Sequence, residues 1–561
     1  MYIGIDVGGT STDAVLLSSG RVQKTAKVYN TPNLMTSLLQ ALDSVLTGVS
    51  ATEVKRVVLS TTMITNLIAE QKYHPVALLL MPGPGCKLYK FRDADVHILK
   101  GAIDYRGREI RPLDEQEVLQ AIKEVESKGY SKVAVVGKFS TRNNIHEIKV
   151  AEIIKSQKPH WQVDMGHVAG GQLNFPRRIA TTMLNCATKE KYSYFVQSVK
   201  EALNKRNIVN AQVFILKADG GTMTLDSSEQ SPVETIFSGP AASTLGVQAL
   251  TPAGETSLVV DIGGTTTDLA LILSGQPLLS SKGVTLGDDL LTQVRALAVK
   301  SVPIGGDSVV DQVGQELIIY SERMGPPYCL GGSFPTPSDA LNVMGLTKLG
   351  DIERSWQVME ALGESINMSA LEVARKVINL VVDTIAIEIE NMFLEWEQEP
   401  AYRIWEVMQK RRVRPKNVVG VGGAAAGFVP QIAIRVGGMP VLPLYTSSAN
   451  AIGAAVAKPT LQITLRADTE QNKFSVEEDG YQGSINEQPF GSEQALNLAK
   501  SLLVKRSEKM NISDEVKDIE VTRRDVFNIV RNMVTTGRIY DVCVQTPRGI
   551  QWHVGAGGKL L

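Results

Sequence analysis

The sequence predicts an α/β protein of several domains in which one motif occurs twice. Short apolar runs alternate with longer helical stretches along most of the chain, which is typical of sheets covered by helices. The pattern IDVGGTSTD (5–13) returns as VDIGGTTTD (260–268). Hydrophobic residues make up 43% of the 561-residue chain, so several buried cores can form.

Strands are predicted at the short apolar runs, and helices at the longer stretches between or after them. The predicted strands, in order, are YIGIDV, AVLL, VVLSTT, VALLLM, KVAVVG, QVFILKA, SLVVDIG, LALIL and NVVGVGG. The predicted helices are Asp114–Lys128, Ile145–Ser156, Thr181–Lys205 and Ala370–Trp396. Acidic residues interrupt the apolar stretch Val377–Phe393, which predicts a buried or amphipathic helix and not a membrane span.

Two breaks divide the chain into three predicted units. A glycine-rich loop with a proline, HVAGGQLNFPRR, precedes the helix near 181–205, and Lys458-Pro459 precedes a region of short strands and polar turns followed by helical stretches. We therefore expect a first lobe over 1–180, a second lobe over 181–457 and a small α+β unit over 458–561.

Charge and cysteine usage argue against several classes of partner. The 58 basic and 59 acidic residues nearly balance and form no long run of one sign, so neither nucleic acid nor a membrane is expected as the main partner. The four cysteines are scattered without a CxxC pair, which indicates reduced thiols. The first residues lack a basic start followed by an apolar run, so we expect a cytoplasmic protein.

The repeated motif has the parts of a clamp for phosphate and Mg²⁺. Each copy is a strand, a Gly-Gly turn, hydroxyl residues, an aspartate and a second strand. A bare Gly-Gly hairpin would explain the turn alone. Here the turn amides and hydroxyls can bind phosphate oxygens, and a carboxylate at the strand end can hold Mg²⁺. The predicted metal ligands are Asp6 and Asp261, and the predicted phosphate contacts are Gly8, Gly9, Thr10, Ser11, Thr12, Asp13, Gly263, Gly264, Thr265, Thr266, Thr267 and Asp268.

Two further glycine segments are candidate nucleotide contacts. The first, NVVGVGGAAAGF (417–428), is a strand-to-helix turn where a base or ribose can lie against Gly422, Gly423 and Ala424; its spacing differs from a dinucleotide-binding turn. The second, SGPAAS (238–243), brings Gly239 to a helix start, where ordinary capping and an anion site are about equally good explanations.

These segments together resemble the actin-like ATPase superfamily, which includes sugar kinases, heat-shock chaperones and actin. Within it, the chain resembles the hydantoinase A/5-oxoprolinase family over about residues 1–457. The segments that carry this resemblance are STTMITNLIAEQ (60–71), GAIDYRGREIRPLD (101–114), RRIATTMLN (177–185), KADGGTM (217–223), SPVETIFSGPAAS (231–243) and GGSFPTPSDALNVMG (331–345).

The resemblance implies two lobes with related ribonuclease H-like cores and ATP bound between them. Family members use ATP to open cyclic amides such as hydantoins or 5-oxoproline, and acetone-type carboxylases are related to them. Many work with a second, separately encoded subunit of hydantoinase B type. This sequence departs from the family in two loops, reading IGGDS (304–308) and CLGG (329–332), which leaves the substrate open.

The residues that would handle water or substrate are less defined than the clamp. Asp288, Asp289 and Asp307 follow the second motif in glycine-containing loops, where solvated aspartates are common; Asp307 is preferred as the candidate catalytic base because its loop departs from the family. A structural role is favoured for His167, and no zinc or serine-hydrolase motif is found.

ATP-dependent hydrolysis of a cyclic amide is thus the expected function; the alternatives are an ATP-dependent carboxylase subunit, an ATPase that remodels a partner protein, and a small-molecule kinase.

Overall fold

The computed structural model describes residues 1–9, 11–31, 33–85, 94–286, 290–398, 414–486, 489–516 and 518–554. It confirms the α/β class and contains two related sheets, as the family resemblance implied. Within these ranges, no helix combines the length and the apolar character needed to cross a bilayer.

The first sheet has six strands with a buried hairpin at its centre. In spatial order its strands are Thr222–Thr224, Gln212–Leu216, Arg56–Thr61, Tyr2–Val7, Ser11–Ser18 and Arg21–Tyr29. Tyr2–Val7 and Ser11–Ser18 are antiparallel, and we call them the first hairpin. Arg56–Thr61 runs parallel to the first strand of this hairpin. The proposed unit 1–180 therefore supplies four of the six strands, and the others come from later in the chain.

The second sheet repeats this arrangement. In spatial order its strands are Gln276–Pro277, Thr267–Leu273, Ser257–Ile262, Asn417–Val421 and Met439–Val441, with Val299–Val302 also paired to Thr267–Leu273. Ser257–Ile262 and Thr267–Leu273 are antiparallel, and we call them the second hairpin. Asn417–Val421 runs parallel to its first strand, as Arg56–Thr61 does in the first sheet.

The remaining sheets lie outside these two cores. A parallel sheet contains, in order, Gln162–Met165, Lys132–Gly137, Ala77–Met81 and Asp95–Ile98. A C-terminal antiparallel sheet contains Gln482–Ser484, Lys473–Val476, Gln462–Asp468, Val534–Gln545 and Glu520–Arg531. Two-stranded pairs are formed by Ala102–Ile103 with Glu109–Arg111, Thr285–Leu286 with Leu290–Leu291, and Val310–Val313 with Glu316–Ile319.

The helices match the predicted ones closely, and one begins earlier than expected. Thr181–Lys205 was predicted, but the helix starts at Phe175, because the Asn174 side chain accepts a hydrogen bond from the Arg177 amide and proline occupies the first turn. The α-helices are Leu34–Leu46, Met63–Ala69, Glu115–Ser127, Ile145–Gln157, Gly166–Ala169, Phe175–Lys205, Leu225–Ser228, Ser238–Leu250, Pro337–Val343, Ile352–Ile366, Ala370–Gln398, Ala425–Val436, Ala449–Val456 and Ser492–Lys509.

The two lobes meet through a pair of closely packed helices, Ser238–Leu250 and Ala449–Val456. A Cβ atom on Gly246 would lie 2.1 Å from the Ala449 carbonyl oxygen, and one on Gly453 would lie 2.0 Å from that of Ala242. Only glycine allows such a backbone approach at these positions. The contact brings the start of the second helix to the ends of both hairpins.

Candidate functional site

The two hairpins have the same register and the same turn. Asp6 pairs with Asp13 across the first hairpin, and Asp261 pairs with Asp268 across the second. The Gly8 amide donates to the Ser11 carbonyl oxygen at 3.0 Å, and Gly263 donates to Thr266 at 3.0 Å. The sequence repeat is therefore also a repeat in three dimensions.

Asn450 connects the two hairpins at their carboxylates. Its side-chain Nδ2 donates to Asp6 Oδ2 at 3.3 Å and to Asp261 Oδ2 at 3.4 Å. Two aspartates far apart in sequence thus meet at one amide group. Asn450 was not predicted from the sequence, because a single asparagine before a run of small residues belongs to no recognised pattern.

The carboxylates are buried (Asp6) or half-buried (Asp261 and Asp268), and their removal from water raises their pKa values. The pKa of Asp6 rises to about 7 through burial, although Ser60 Oγ donates a hydrogen bond to it at 2.5 Å. The pKa of Asp261 rises to about 6, mainly through burial and then through the charge of Asp268, with a hydrogen bond from Ser243 opposing the shift. Burial also raises the pKa of Asp268 to about 6. Burial thus disfavours the ionised form of each of these carboxylates.

The first hairpin has one cation, which the sequence did not single out. Lys27 Nζ lies 2.7 Å from both oxygens of Asp13 and 3.1 Å from Ser11 Oγ. Burial raises the pKa of Asp13, and Lys27 opposes that shift. Lys27 also favours the ionised form of Asp261, so its charge reaches the second hairpin.

Two of the predicted phosphate contacts instead form hydrogen bonds within the protein. Thr12 Oγ1 donates to Asn30 Oδ1 at 2.8 Å, and Thr267 Oγ1 donates to the Ile304 carbonyl oxygen at 2.7 Å. Both side chains are fully buried. Their position follows from strand geometry, because each threonine points to the opposite face from its neighbouring residues. These hydroxyls form hydrogen bonds that stabilise the hairpins, whereas the sequence predicted that they contact phosphate.

The other predicted contacts lie around the turns. Gly9 and Thr265 are exposed, Gly8, Ser11, Gly263, Gly264 and Thr266 are half-buried, and Thr10 lies outside the described residues. Phosphate contacts by these residues stay a prediction. They are the groups at the turns that remain open to a ligand in the cleft.

Asp307 lies directly against the second turn. The amides of Gly306 and Asp307 donate to the carbonyl oxygens of Gly263 and Gly264 at 2.9 and 2.7 Å. A Cβ atom on Gly264 would lie 2.5 Å from Asp307 Oδ2, so only glycine leaves room for this carboxylate. Burial raises the pKa of Asp307, and Arg323, whose Nε donates to Oδ2 at 3.1 Å, opposes the shift. Asp288 and Asp289 lie outside the described residues.

The two glycine segments also reach this region. A Cβ atom on Gly422 would lie 2.6 Å from Asp261 Oδ1, and the Ala424 amide donates to the Ile262 carbonyl oxygen at 3.3 Å. Gly423 is exposed beside them. Gly239 follows Ser238, whose Oγ donates to the Thr61 carbonyl oxygen at 2.8 Å and so fixes the helix start against the first sheet.

His167 belongs to a separate buried group. Its Nδ1 lies 2.5 Å from Glu147 Oε2, and the edge of its ring faces Gly480 of the C-terminal unit. Arg178 shares this region and donates to the carbonyl oxygens of Gly137 and Lys138 at 2.6 Å. Of these contacts, only the approach to Gly480 reaches the C-terminal unit, and the others lie within the first lobe, in agreement with the structural role preferred for His167.

The carboxylates of Asp6 and Asp261 fit the needs of Mg²⁺, which is commonly bound by one or two carboxylates together with phosphate oxygens and water. Burial, and after it the charges of neighbouring aspartates, raise their pKa values, and a divalent cation would favour the ionised carboxylates. Among the described residues, no set of three or more His, Cys, Asp or Glu side chains is arranged as a complete metal site.

Family models match both lobes. The hydantoinase/oxoprolinase model matches residues 178–463, and the model of the hydantoinase/oxoprolinase N-terminal region matches residues 2–157. The chain belongs to the hydantoinase/oxoprolinase family. The family resemblance seen in the sequence is thereby confirmed.

Two curated relatives are about 25% identical to this chain over the aligned residues. The caprolactamase subunit alpha of Pseudomonas jessenii is 25% identical over 497 residues, which cover 80% of this chain and 69% of the relative. The acetophenone carboxylase gamma subunit of Aromatoleum aromaticum is 24% identical over 450 residues, which cover 69% of this chain and 60% of the relative. The chain thus spans about two thirds of the length of these relatives.

Two solved structures share the fold. The nucleotide-free structure of acetone carboxylase aligns with a TM-score of 0.74 at 16% identity, covering 98% of this chain and 87% of the other. The ATP-dependent caprolactamase of Pseudomonas jessenii aligns with a TM-score of 0.69 at 20% identity, covering 97% of this chain and 87% of the other. The similarity extends over both lobes and the C-terminal unit.

Proposed function

We propose that this chain binds ATP and Mg²⁺ between the two hairpins and uses ATP to open a cyclic amide of hydantoin or 5-oxoproline type. The observation that carries the proposal is the contact of Asp6 and Asp261 with one Asn450 amide. Family membership supports it, as does the similarity to an enzyme described as an ATP-dependent caprolactamase.

The chemical reason for using ATP is the low reactivity of an amide. Transfer of the terminal phosphoryl group to the ring carbonyl oxygen activates the carbon towards water. Water then adds to that carbon, the C–N bond breaks, and a second water releases phosphate from the acyl phosphate. The products are ADP, phosphate and an open-chain carboxylate with a free nitrogen group.

We assign each residue a role in ATP binding or proton transfer from its position in the site. Asp6 and Asp261 would hold Mg²⁺, and bound Mg²⁺ would neutralise charge on the phosphates. The turn amides, Ser11, Thr266 and Lys27 would bind phosphate oxygens, since amide and ammonium groups are good donors to them. Gly422 and Gly423 would border the adenosine. Asp307, beside the second turn, would accept a proton from the attacking water.

A second candidate is an ATP-dependent carboxylation. It is favoured by the similarity to acetone carboxylase and to an acetophenone carboxylase subunit. Both reactions would use the same ATP cleft and differ in the molecule that is activated. In either case we propose a second subunit of hydantoinase B type as partner, because both curated relatives are named as subunits.

The test is ADP release by the full chain, alone and with a candidate second subunit, in the presence of different substrates. Stimulation by hydantoin, 5-oxoproline or caprolactam, with one equivalent of acid formed per ADP, supports the proposal. Stimulation only by a ketone with bicarbonate favours the carboxylase. Turnover that responds only to a protein partner, or that accumulates a phosphorylated small molecule, overturns both.

A further inference from the structure

A second cavity of about 460 Å³ lies where the segment KADGGTM (217–223) meets the C-terminal unit. The resemblance singled out this segment, yet the ATP cleft gives it no task. One wall of the cavity is apolar and includes Leu245 and Leu297. The charged and polar side chains of its lining are those of Asp219, Gln276, Lys458, Glu520, Gln545 and Arg548.

The carboxylates of this cavity are already engaged. Asp219 is buried, and its Oδ1 accepts from the Gly221 amide at 2.9 Å while Lys217 Nζ lies 3.5 Å from its Oδ2. Glu520 Oε2 accepts from Gln545 Nε2 at 3.2 Å. The negative groups therefore have partners within the protein.

The two cations of the lining, unlike its carboxylates, lack hydrogen-bond and ion-pair partners among the described residues. In the described part of the chain, neither the Arg548 guanidinium nor the Lys458 ammonium has a hydrogen-bond or ion-pair partner. The neighbouring Arg295 donates to the amide oxygens of Gln462 and Gln545, which carry no charge. The lining thus combines two acidic groups that have hydrogen-bond partners, two basic groups that have none within the described residues, and an apolar wall.

The surroundings of Arg548 disfavour its charged form, which an anion would stabilise. Burial, and after it the charge of Arg295, lower the pKa of Arg548, while Asp219 and Glu520 oppose the shift. A half-buried guanidinium beside a second cation is stabilised by an anion, and its planar donors suit a carboxylate.

We propose that this cavity binds the carboxylate of a small open-chain acid, with Arg548 and Lys458 as its contacts and the Leu245–Leu297 wall against its carbon chain. The choice of acid rests on the proposed function, because hydrolysis of a ring amide creates one carboxylate that the closed ring lacks. The cavity would therefore distinguish the open product from the cyclic substrate. Helix Ser238–Leu250 contacts both sites, since its Ser243 bonds Asp261 and its Leu245 lines the cavity.

The experiment is titration calorimetry on the full chain without nucleotide, using matched pairs of ring and acid. The pairs are caprolactam with 6-aminohexanoate, and hydantoin with N-carbamoylglycine. We expect both acids to bind and both rings to fail over the same concentration range. Arg548→Gln should weaken acid binding about tenfold or more, and Arg548→Lys should weaken it less, because a cation is kept.

The matched control is Arg538→Gln, which removes an exposed arginine elsewhere on the C-terminal sheet and should bind as the unaltered chain does. Should Arg548→Gln fail to fold, Lys458→Gln tests the same cavity and should weaken binding about threefold. Equal binding of rings and acids, equal binding of inorganic phosphate, or binding unchanged by these substitutions would overturn the inference. Since no turnover is needed, absence of ATP-dependent ring opening with intact acid binding would overturn only the proposed function.

Discussion

The first and second hairpins share a backbone and differ in what surrounds their carboxylates. The strand next to the first hairpin places Lys27 opposite Asp13, and the strand next to the second places Ser301 opposite Asp268. The second turn is instead covered by the loop that carries Asp307, whose amide bonds to Gly264. The first hairpin thus has an ammonium group at the position where the second has a hydroxyl.

From this difference we expect that the two copies of the motif would perform different tasks under the proposed function. A cation beside the first turn suits phosphate charge, whereas the uncompensated carboxylates of the second suit a metal ion and the nearby Asp307 suits proton transfer. Duplication therefore accounts for the common frame, and the neighbours of each copy account for its chemistry.

The largest effect is expected from removing a carboxylate that both hairpins share through Asn450. Asp261→Asn keeps the shape of the side chain and removes its charge, so ATP hydrolysis should fall on the order of 10²–10³-fold. The fold should persist, as checked by circular dichroism and thermal unfolding. Asp311→Asn, on an exposed strand of the same lobe, should leave turnover unchanged. Full ATPase activity in Asp261→Asn would remove the metal assignment.

The next largest effect is expected at Asp307, whose loop covers the turn of the second hairpin. Asp307→Asn should lower ring opening roughly 10²-fold, the usual contribution of a general base, while ATP binding stays within twofold. Substrate-dependent product formation and nucleotide binding should be measured on the same preparation. A parallel loss of nucleotide affinity would show that Asp307 holds the turn and does not act on water.

Substitutions at Lys27 and Ser301 can give each hairpin the neighbouring side chain of the other. Lys27→Ser makes the first resemble the second and should weaken ATP binding about tenfold, since one charge-assisted contact is lost. Ser301→Lys makes the second resemble the first and should lower the pKa of Asp268 and weaken Mg²⁺ binding. The measurements are nucleotide titrations at several Mg²⁺ concentrations, and identical responses of the two variants would contradict the division of tasks.

The smallest effect is on stability and follows from the raised pKa values. The folded pKa of Asp6 is about 7, and those of Asp261 and Asp268 are about 6, against an ordinary value of 3.8. Between these values the folded state binds more protons than the unfolded state, so stability falls as pH rises from about 4 to about 7. Asp6→Asn should remove up to about 4 kcal/mol of this fall in the nucleotide-free protein, since one unit of pKa corresponds to about 1.4 kcal/mol. Thermal unfolding across that pH range provides the measurement, and a slope unchanged by Asp6→Asn would contradict it.

The sequence predicted the parts of the site that lie within one continuous segment. The paired aspartates and glycine turns could be predicted because spacing within a hairpin fixes their register. Asn450, Ser60, Ser243 and Lys27 could not, since each comes from a different segment and enters the site only when the sheets and helices pack together.

The expectation for Thr12 and Thr267 shows where motif reasoning needs strand geometry. Each follows a residue that faces the cleft, so alternation of side chains along the strand directs the threonine inward. The long C-terminal hairpin, Glu520–Arg531 with Val534–Gln545, was also missed, although Tyr540, Val542 and Val544 alternate in the sequence with more polar residues, the period of two typical of a strand.

The most direct test of the shared cleft is a crystal structure of the full chain with Mg²⁺ and a non-hydrolysable ATP analogue. We expect the terminal phosphates to contact the turn Gly8–Ser11 and the turn Gly263–Thr266 at the same time, with Mg²⁺ near Asp6 and Asp261. A nucleotide that touches only one turn, or that lies away from Asn450, would contradict it.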